Sequence, residues 1–459
     1  MLPHKQKLLK NHINTPPLTM TTKTHQLITF VLIIASATAT NAQQNVSTEL
    51  VQLVNQSFTY NPRINELQQQ VAIQEQKMEV AKTYLLPTVN ATAAYSYIAP
   101  VGQATFPIGP GVEKVLQFQP NNNMAFGLGV NYQVLDFGRS QANIAKTKTE
   151  IQQSKDNVEF NKAQLAAQLA NVYYSISYLK NAVVVQDSIL IALNETKKQA
   201  ENKLKNGDAL ELEVLTINST IDAEKNKRIE LETLVQKQVN VLLYATGVDN
   251  VGKTSPTDFN FVASTNLTNK DEIVKQAQEN NLDIKLAKQK NLLTLSDWNI
   301  NKRAYYPSLN LIGNTGMRNG YQPSIDNLKF NYLLGVSLNA PLFQGGRFKQ
   351  QKQLFEANEQ LNALSITTLT KNYERDIIQA VADINSYTER LNNMQGQINQ
   401  AQKAVELINV RYKNGVTLQI EYMNALTTLQ KIKLSALNYR YQLCVTQVEL
   451  ARLIGNKWW

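Results

Sequence analysis

An apolar residue recurs every seven positions along two long stretches of this chain. The first seam runs through Ile144, Ile151, Val158, Leu165, Val172 and Leu179, the second through Ile377, Ile384, Leu391, Ile398, Val405 and Tyr412. Between the seam positions lie mostly Gln, Asn, Lys and Glu, which suit a surface in water. A sustained seven-residue period predicts helices with a narrow apolar stripe and a left-handed supercoil. The first pattern fills residues 140–205. At 1.5 Å per residue such a helix reaches roughly 100 Å, too long for a compact globular domain. Asn206-Gly207 and Asn414-Gly415 are turn formers. Each long helix is therefore predicted to reverse there into a second one, over 209–246 and 417–453.

Elsewhere the period changes from seven to two. Val89, Ala91, Ala93, Tyr95 and Tyr97 alternate with Asn90, Thr92, Ala94 and Ser96. Phe126, Leu128, Val130, Tyr132 and Val134 alternate with glycines, Asn131 and Gln133, and the region from Leu309 to Met317 repeats the pattern more weakly. Tyr332, Leu334, Val336, Leu338 and Ala340 complete it. Alternation over about ten residues, with aromatics, predicts membrane strands with one face to lipid. Pro87 and Pro307 stop the preceding helices and bias the chain toward extended backbone. A loop from Ala99 to Asn123 closes the first hairpin outside the cell.

These elements occur twice. Gly138-Arg139 recurs as Gly346-Arg347, Asn206-Gly207 as Asn414-Gly415, and Gly247 as Gly455, all at an offset of 208. Asn61, Lys82 and Pro87 recur as Asn281, Lys302 and Pro307 at an offset of 220, so the first copy has 12 more residues between Pro87 and Gly138. Such self-similarity sets the domain organisation. We place a signal peptide at 1–42 (its start at Met1 or Met20), a first repeat at 43–249 and a linker at 250–267. A second repeat spans 268–459. Each repeat holds one β-hairpin, at about 87–138 and 307–346.

The signal peptide is read from Lys23, the apolar run from Leu27 to Ala35, and the small residues Thr40-Asn41-Ala42. Its removal lowers the formal charge from +10 to +6 and takes away His4, His12 and His25, the only histidines. Cys444 is the sole cysteine. Catalytic triads that use His, His-ligated metals and disulfides are thereby excluded, and no Walker or dinucleotide fingerprint is present. No cofactor is expected. The positive charge forms no basic block, which disfavours nucleic acid. No later apolar run is expected to reach helix-spanning length.

Four strands cannot close a barrel, and an open edge in hydrocarbon leaves backbone groups unpaired at several kcal/mol each. Several chains must share one barrel. Two chains supply eight strands and three supply twelve, and the strand count alone does not choose between them.

The tandem repeat, the Pro87 and Pro307 junctions, the turns Leu135-Asp136-Phe137-Gly138-Arg139 and Leu342-Phe343-Gln344-Gly345-Gly346-Arg347, and the two Asn-Gly tips together resemble the TolC-like outer-membrane factors. The resemblance spans the chain beyond residue 42. It implies an α+β membrane protein: a homotrimer with a shared twelve-stranded barrel in outer-membrane lipid and a long α-helical barrel across the periplasm of a Gram-negative cell. It also implies no enzymatic activity. The chain would be a gated exit duct for efflux or secretion that docks, through tips at Asn206, Gly207, Asn414 and Gly415, to a periplasmic adaptor and an inner-membrane pump.

The same resemblance places a pore gate beside the tips. Glu421 matches one acidic ring position and Asn424 occupies the other, so the ring carries less charge than the family pattern. Glu213 matches a site that relatives link to a tyrosine, here Tyr412. Thr417 stands where the family pattern has an arginine latch. Read from the residues alone, Glu213 and Glu421 are ordinary carboxylates near helix N-termini. Two other function classes would leave different signatures. A periplasmic coiled-coil adaptor without a pore would keep the heptads but lack the paired alternating strands, and an envelope hydrolase would need a pocket-forming domain.

Overall fold

A computed structural model describes residues 46–247, 259, 261 and 269–459. The signal peptide and nearly all of the linker lie outside the described residues. The chain opens with α1 (Thr48–Tyr60) and α2 (Pro62–Thr83), separated by Asn61, whose side chain accepts a hydrogen bond from Arg63 N at 2.9 Å. Pro62 fits the first helical position because its missing N–H would have no partner there. The second copy repeats the device. Asn281 separates α5 (Lys270–Asn280) from α6 (Leu282–Arg303) and accepts from Asp283 N and Ile284 N.

Beyond Pro87 comes β1 (Thr88–Tyr97), paired antiparallel with β4 (Asn122–Leu135). Beyond Pro307, β5 (Ser308–Arg318) pairs with β6 (Lys329–Asn339). The two hairpins join through β4 and β5 into one sheet of order β1-β4-β5-β6. Among the described residues both outer strands lack a partner on one side. The loop expected from Ala99 to Asn123 is more ordered than its prolines suggested. It forms a hairpin of β2 (Gln103–Gly109) and β3 (Val112–Gln117), turning at Gly111.

At the base of β4, Asp136 accepts from Gly138 N (2.9 Å) and Ser140 N (2.6 Å), and so starts the next helix. Burial pushes its pKa up, but these bonds outweigh burial and hold the carboxyl below its ordinary value. The long helices follow: α3 (Arg139–Lys205) reverses into α4 (Glu211–Thr246), and α7 (Arg347–Lys413) into α8 (Gln419–Leu453). Each long helix has 67 residues, about 100 Å at the standard rise.

The helices pack side by side as a wall. Near the sheet its order is α2-α3-α6-α7, and near the tips α4-α3-α8-α7. The wall ends on one side at α2 and α4 and on the other at α7. Its seam residues behave unequally. In the first copy Ile144, Ile151, Val158 and Leu179 are buried and Leu165 and Val172 half-buried, whereas in the second Ile377, Ile384 and Tyr412 are buried and Leu391, Ile398 and Val405 half-buried. The free edge of α7 also exposes Leu354, Leu361 and Leu364.

One expectation is corrected. Part of α3 is long and apolar enough to cross a membrane by length and composition. This helix meets α1, α4 and α8 at once, so residues on several of its faces are apolar. Leu169, Ala170, Tyr173, Tyr174 and Ile176 of α3 pack in one cluster with Leu50, Leu242, Phe261, Val448 and Trp458. Cys444 belongs to the same cluster, and burial pushes its thiol up to about 12. A buried neutral thiol there is a packing group, as expected.

Candidate functional site

The helix reversals at the tips are built identically. In the first, Asp208 N donates to Lys203 O (2.8 Å) and Gly207 N to Leu204 O (3.1 Å). In the second, Val416 N donates to Arg411 O (2.8 Å) and Gly415 N to Tyr412 O (3.1 Å). This pattern needs a left-handed residue just past the helix, and Gly207 and Gly415 supply it with φ of +78° and +74°. A Cβ at either glycine would meet nothing within 4 Å, so only backbone strain opposes a substitution. Gly207→Ala or Gly415→Ala should each destabilise the fold by about 1 kcal/mol. Denaturant midpoints of the single variants and the pair should show the costs adding, and an unshifted midpoint would mean the turns relax freely.

Immediately above the tips, the copies meet. Ile189, Leu193, Ala200, Ile217 and Ile221 of the first copy pack with Tyr412, Tyr422, Met423 and Leu426 of the second. Tyr412 and Tyr422 stack face to face, 6.0 Å between centroids and 6° between planes. The expected hydrogen bond from Tyr412 to Glu213 is not made. Tyr412 Oη is buried without a hydrogen-bond partner among the described residues. The ring is instead stacked on Tyr422 within the packing between copies, with its hydroxyl unpaired. That carboxylate still acts at a distance: burial first, then the Glu213 charge, pushes the Tyr412 pKa up.

The tie between copies uses another residue. Lys203 Nζ donates to Tyr412 O at 2.6 Å and lies 4.3 Å from the centroid of the Tyr412 ring. Gln419 Nε2 adds a second link, donating to Glu213 O at 3.2 Å. Lys203 escaped the sequence analysis, although a signal existed. At the offset of 208 its counterpart is Arg411, so a cation precedes both tips.

Glu213 and Glu421 occupy the third position of α4 and α8, in the first turns. Glu213 is half-buried and Glu421 exposed; Thr417 Oγ1 donates to the Glu421 carboxylate. Asn424 is exposed one turn further on the same helical face. Glu421 and Asn424 therefore share a solvent-facing stripe, while Glu213 and Tyr412 lie against the inter-copy packing.

Further along, a buried polar trio also joins the copies. Gln186 of α3 and Gln430 of α8 both donate to Glu224 Oε2 of α4, at 2.6 and 2.9 Å. Burial pushes the Glu224 pKa up, but the bonds from Gln186, Lys227 and Gln430 outweigh it and hold the carboxyl below its ordinary value. A second node sets Asp156 of α3 against Lys285 (2.8 Å) and Gln289 of α6. Neither node was visible in the sequence, because Gln and Glu dominate the exposed positions too.

At the other end, the register sorts the sheet into two faces. Val89 lies opposite Val130, Phe126 opposite Met317, Met317 opposite Phe330, and Leu311 opposite Val336. The alternate face carries Asn90 opposite Gly129, Gly129 opposite Asn314, and Asn331 opposite Gly316. Strands of ten to fourteen residues with one apolar and one polar face fit a bilayer-spanning barrel wall.

The sequence profile of the outer membrane efflux protein family matches residues 53–248 and 273–456. The pyoverdine export outer membrane protein OpmQ of Pseudomonas aeruginosa is 22% identical over 398 residues, 83% of this chain and 79% of that protein. The outer membrane protein TolC of Vibrio cholerae is 18% identical over 437 residues, 93% of this chain and 94% of its own length. Among solved structures, the outer-membrane channel OprN superposes with a TM-score of 0.72 at 17% identity, covering 89% of this chain and 90% of that one. CusC gives 0.73 at 15% identity, covering 92% and 96%. The fold is shared across these channels, and its place is the outer membrane, reaching into the periplasm. With the profile matched in both copies, this chain belongs to the outer membrane efflux protein family.

Proposed function

We propose that three copies of this chain close side by side into a gated exit duct, a twelve-stranded barrel above a helical tube. The observation that carries this reading is the pair of unlike open edges. The sheet ends at β1 and β6, and the helical wall ends at α2 and α4 on one side and α7 on the other. Unlike edges join head to tail, and a head-to-tail ring closes when its rotation does. The half-buried seam and exposed leucines of α7 then gain cover, and the unpaired strand edges gain partners that hydrocarbon cannot supply. The number three is the one the family resemblance implies. The apolar sheet face disfavours the reading as a poreless adaptor, which has no use for a lipid-facing wall.

In this duct the tips form the periplasmic entrance. Glu421 and Asn424 face the opening, the packing around Tyr412, Lys203 and Glu213 holds it shut, and Asn206-Gly207 and Asn414-Gly415 meet the adaptor. An inner-membrane pump supplies the energy. Light scattering of the purified protein in detergent, corrected for micelle mass, should give three chains, and planar bilayers should show single-channel steps. A folded, monodisperse monomer would sink the proposal. Glu421→Gln should lower the cation preference of the open channel, measured as a reversal potential in a salt gradient.

A further inference from the structure

The end of the sheet farthest from the helices carries charge that the gated duct leaves unused. Along β1, β4, β5 and β6 just two residues are charged, Arg318 and Lys329. They stand directly opposite each other as the last pair of the β5–β6 ladder. The ladder is regular from Ser308 to Arg318, so parity puts both on the polar face with Asn314, Gly316 and Asn331. Like charges in facing positions repel. No acidic side chain relieves them: among the described residues neither forms an ion pair, and Lys329 Nζ donates only to Gln322 O at 3.2 Å. The other charged groups at this end are Glu113 and Lys114 on the β2–β3 hairpin and Asp326 in the β5–β6 turn.

The site is held in place. Asn319, next to Arg318 and 4% exposed, accepts from Met124 N at 2.8 Å and donates to Asn122 O at 2.6 Å. This clasp pins the end of β5 to β4. Gln322 donates to Gln117 O at 3.0 Å, which ties the following turn to β3. The backbone positions of the two cations are thus fixed opposite each other on neighbouring strands.

We propose that Arg318 and Lys329 form an anion-binding ring at the outer mouth of the duct, selective for solutes bearing several phosphate or carboxylate groups. The proposal rests on the reading that the polar sheet face lines a trimeric pore. Three copies of the pair converge on one lumen there. The guanidinium offers a planar fork to two oxygens of one anionic group, and the ammonium adds a point charge beside it. With Glu421 at the entrance, the duct would carry opposite charge at its two mouths, and anionic cargo would be drawn toward release.

The test uses the full-length protein in a zwitterionic planar bilayer, with inorganic tripolyphosphate as probe. Added on the side of the β-turns, it should block conductance at a concentration about tenfold lower than from the side of the helical tips. Arg318→Gln with Lys329→Gln should raise the blocking concentration about tenfold, and Arg318→Lys with Lys329→Arg should largely restore the block. Equal block of wild type and the Gln pair, both conducting, overturns the ring and leaves the duct standing. Block that disappears when anionic lipid is mixed into the bilayer assigns the pair to lipid headgroups and also overturns it. A protein that never conducts removes the duct and the ring together.

Discussion

Lys203→Ala should raise the open probability of the channel by well over tenfold in a planar bilayer at neutral pH. The Lys203 ammonium makes a charged hydrogen bond to the Tyr412 carbonyl and a cation–π contact with its ring, across the boundary between copies. Such contacts are worth about 1.5–3 and 0.5–2 kcal/mol respectively. Lys203 is near the surface, so the lower halves of these ranges apply, about 2 kcal/mol per chain. Every 1.4 kcal/mol is tenfold in an equilibrium constant, and a trimer would hold three such ties. In the proposed gate, an adaptor that favours the open state would have to overcome the same sum.

Tyr412→Phe separates this tie from the one expected through Glu213. The Tyr412 hydroxyl is buried without a partner, so its removal should be neutral or stabilise by about 1 kcal/mol, with the gate still closed. If Tyr412→Phe opens the channel as strongly as Lys203→Ala does, the hydroxyl has a partner in the closed trimer and the Lys203 latch is the wrong one.

Glu224→Ala should cause the largest loss of stability away from the membrane. The carboxylate takes hydrogen bonds from Gln186, Gln430 and Lys227, and so joins α3, α4 and α8. Gln186 is 2% exposed and Gln430 6%. Truncation leaves their amide groups buried with fewer partners, a loss of about 2–4 kcal/mol. Guanidinium unfolding at one fixed protein concentration is the appropriate measure, because an oligomer's midpoint depends on concentration.

The same residue predicts an acid response. Its pKa is lowered from 4.5 in the folded protein, so the stabilisation is complete above the unfolded value and lost as pH falls through the folded one. Stability should hold between pH 7 and 5 and fall below 4.5. Asp156 and Asp136, also lowered, titrate in the same direction. Glu224→Gln should therefore reduce the acid loss without abolishing it. A variant that keeps the full acid loss would exclude Glu224 as a contributor.

Much of the architecture is legible in the chain because it depends on local periods. The seven-residue seam from Ile144 to Leu179 required a long helix, and α3 runs from Arg139 to Lys205. Strand parity in β1, β4, β5 and β6 followed from alternation alone, since backbone geometry sends successive side chains to opposite faces. The offset of 208 located both tips, and their glycines adopt the left-handed backbone that the reversal demands.

What packing alone decided lies between segments far apart in sequence. Lys203 and Tyr412 are 209 positions apart, and Gln186 and Gln430 are 244. Each residue step rotates a helix by about 100°, so small shifts in packing between helices choose a different polar partner. Period cannot carry that information. Gln186 and Gln430 look like the solvated glutamines around them until three helices close over them. Tyr412 reads as a seam residue, and only the packing between copies shows its ring stacked on Tyr422 and its hydroxyl without a partner among the described residues. The sheet divides in the same way. The alternating runs read from the sequence stop short of Arg318 and Lys329, and the β5–β6 register decided that these two unrelieved cations stand opposite each other on the polar face.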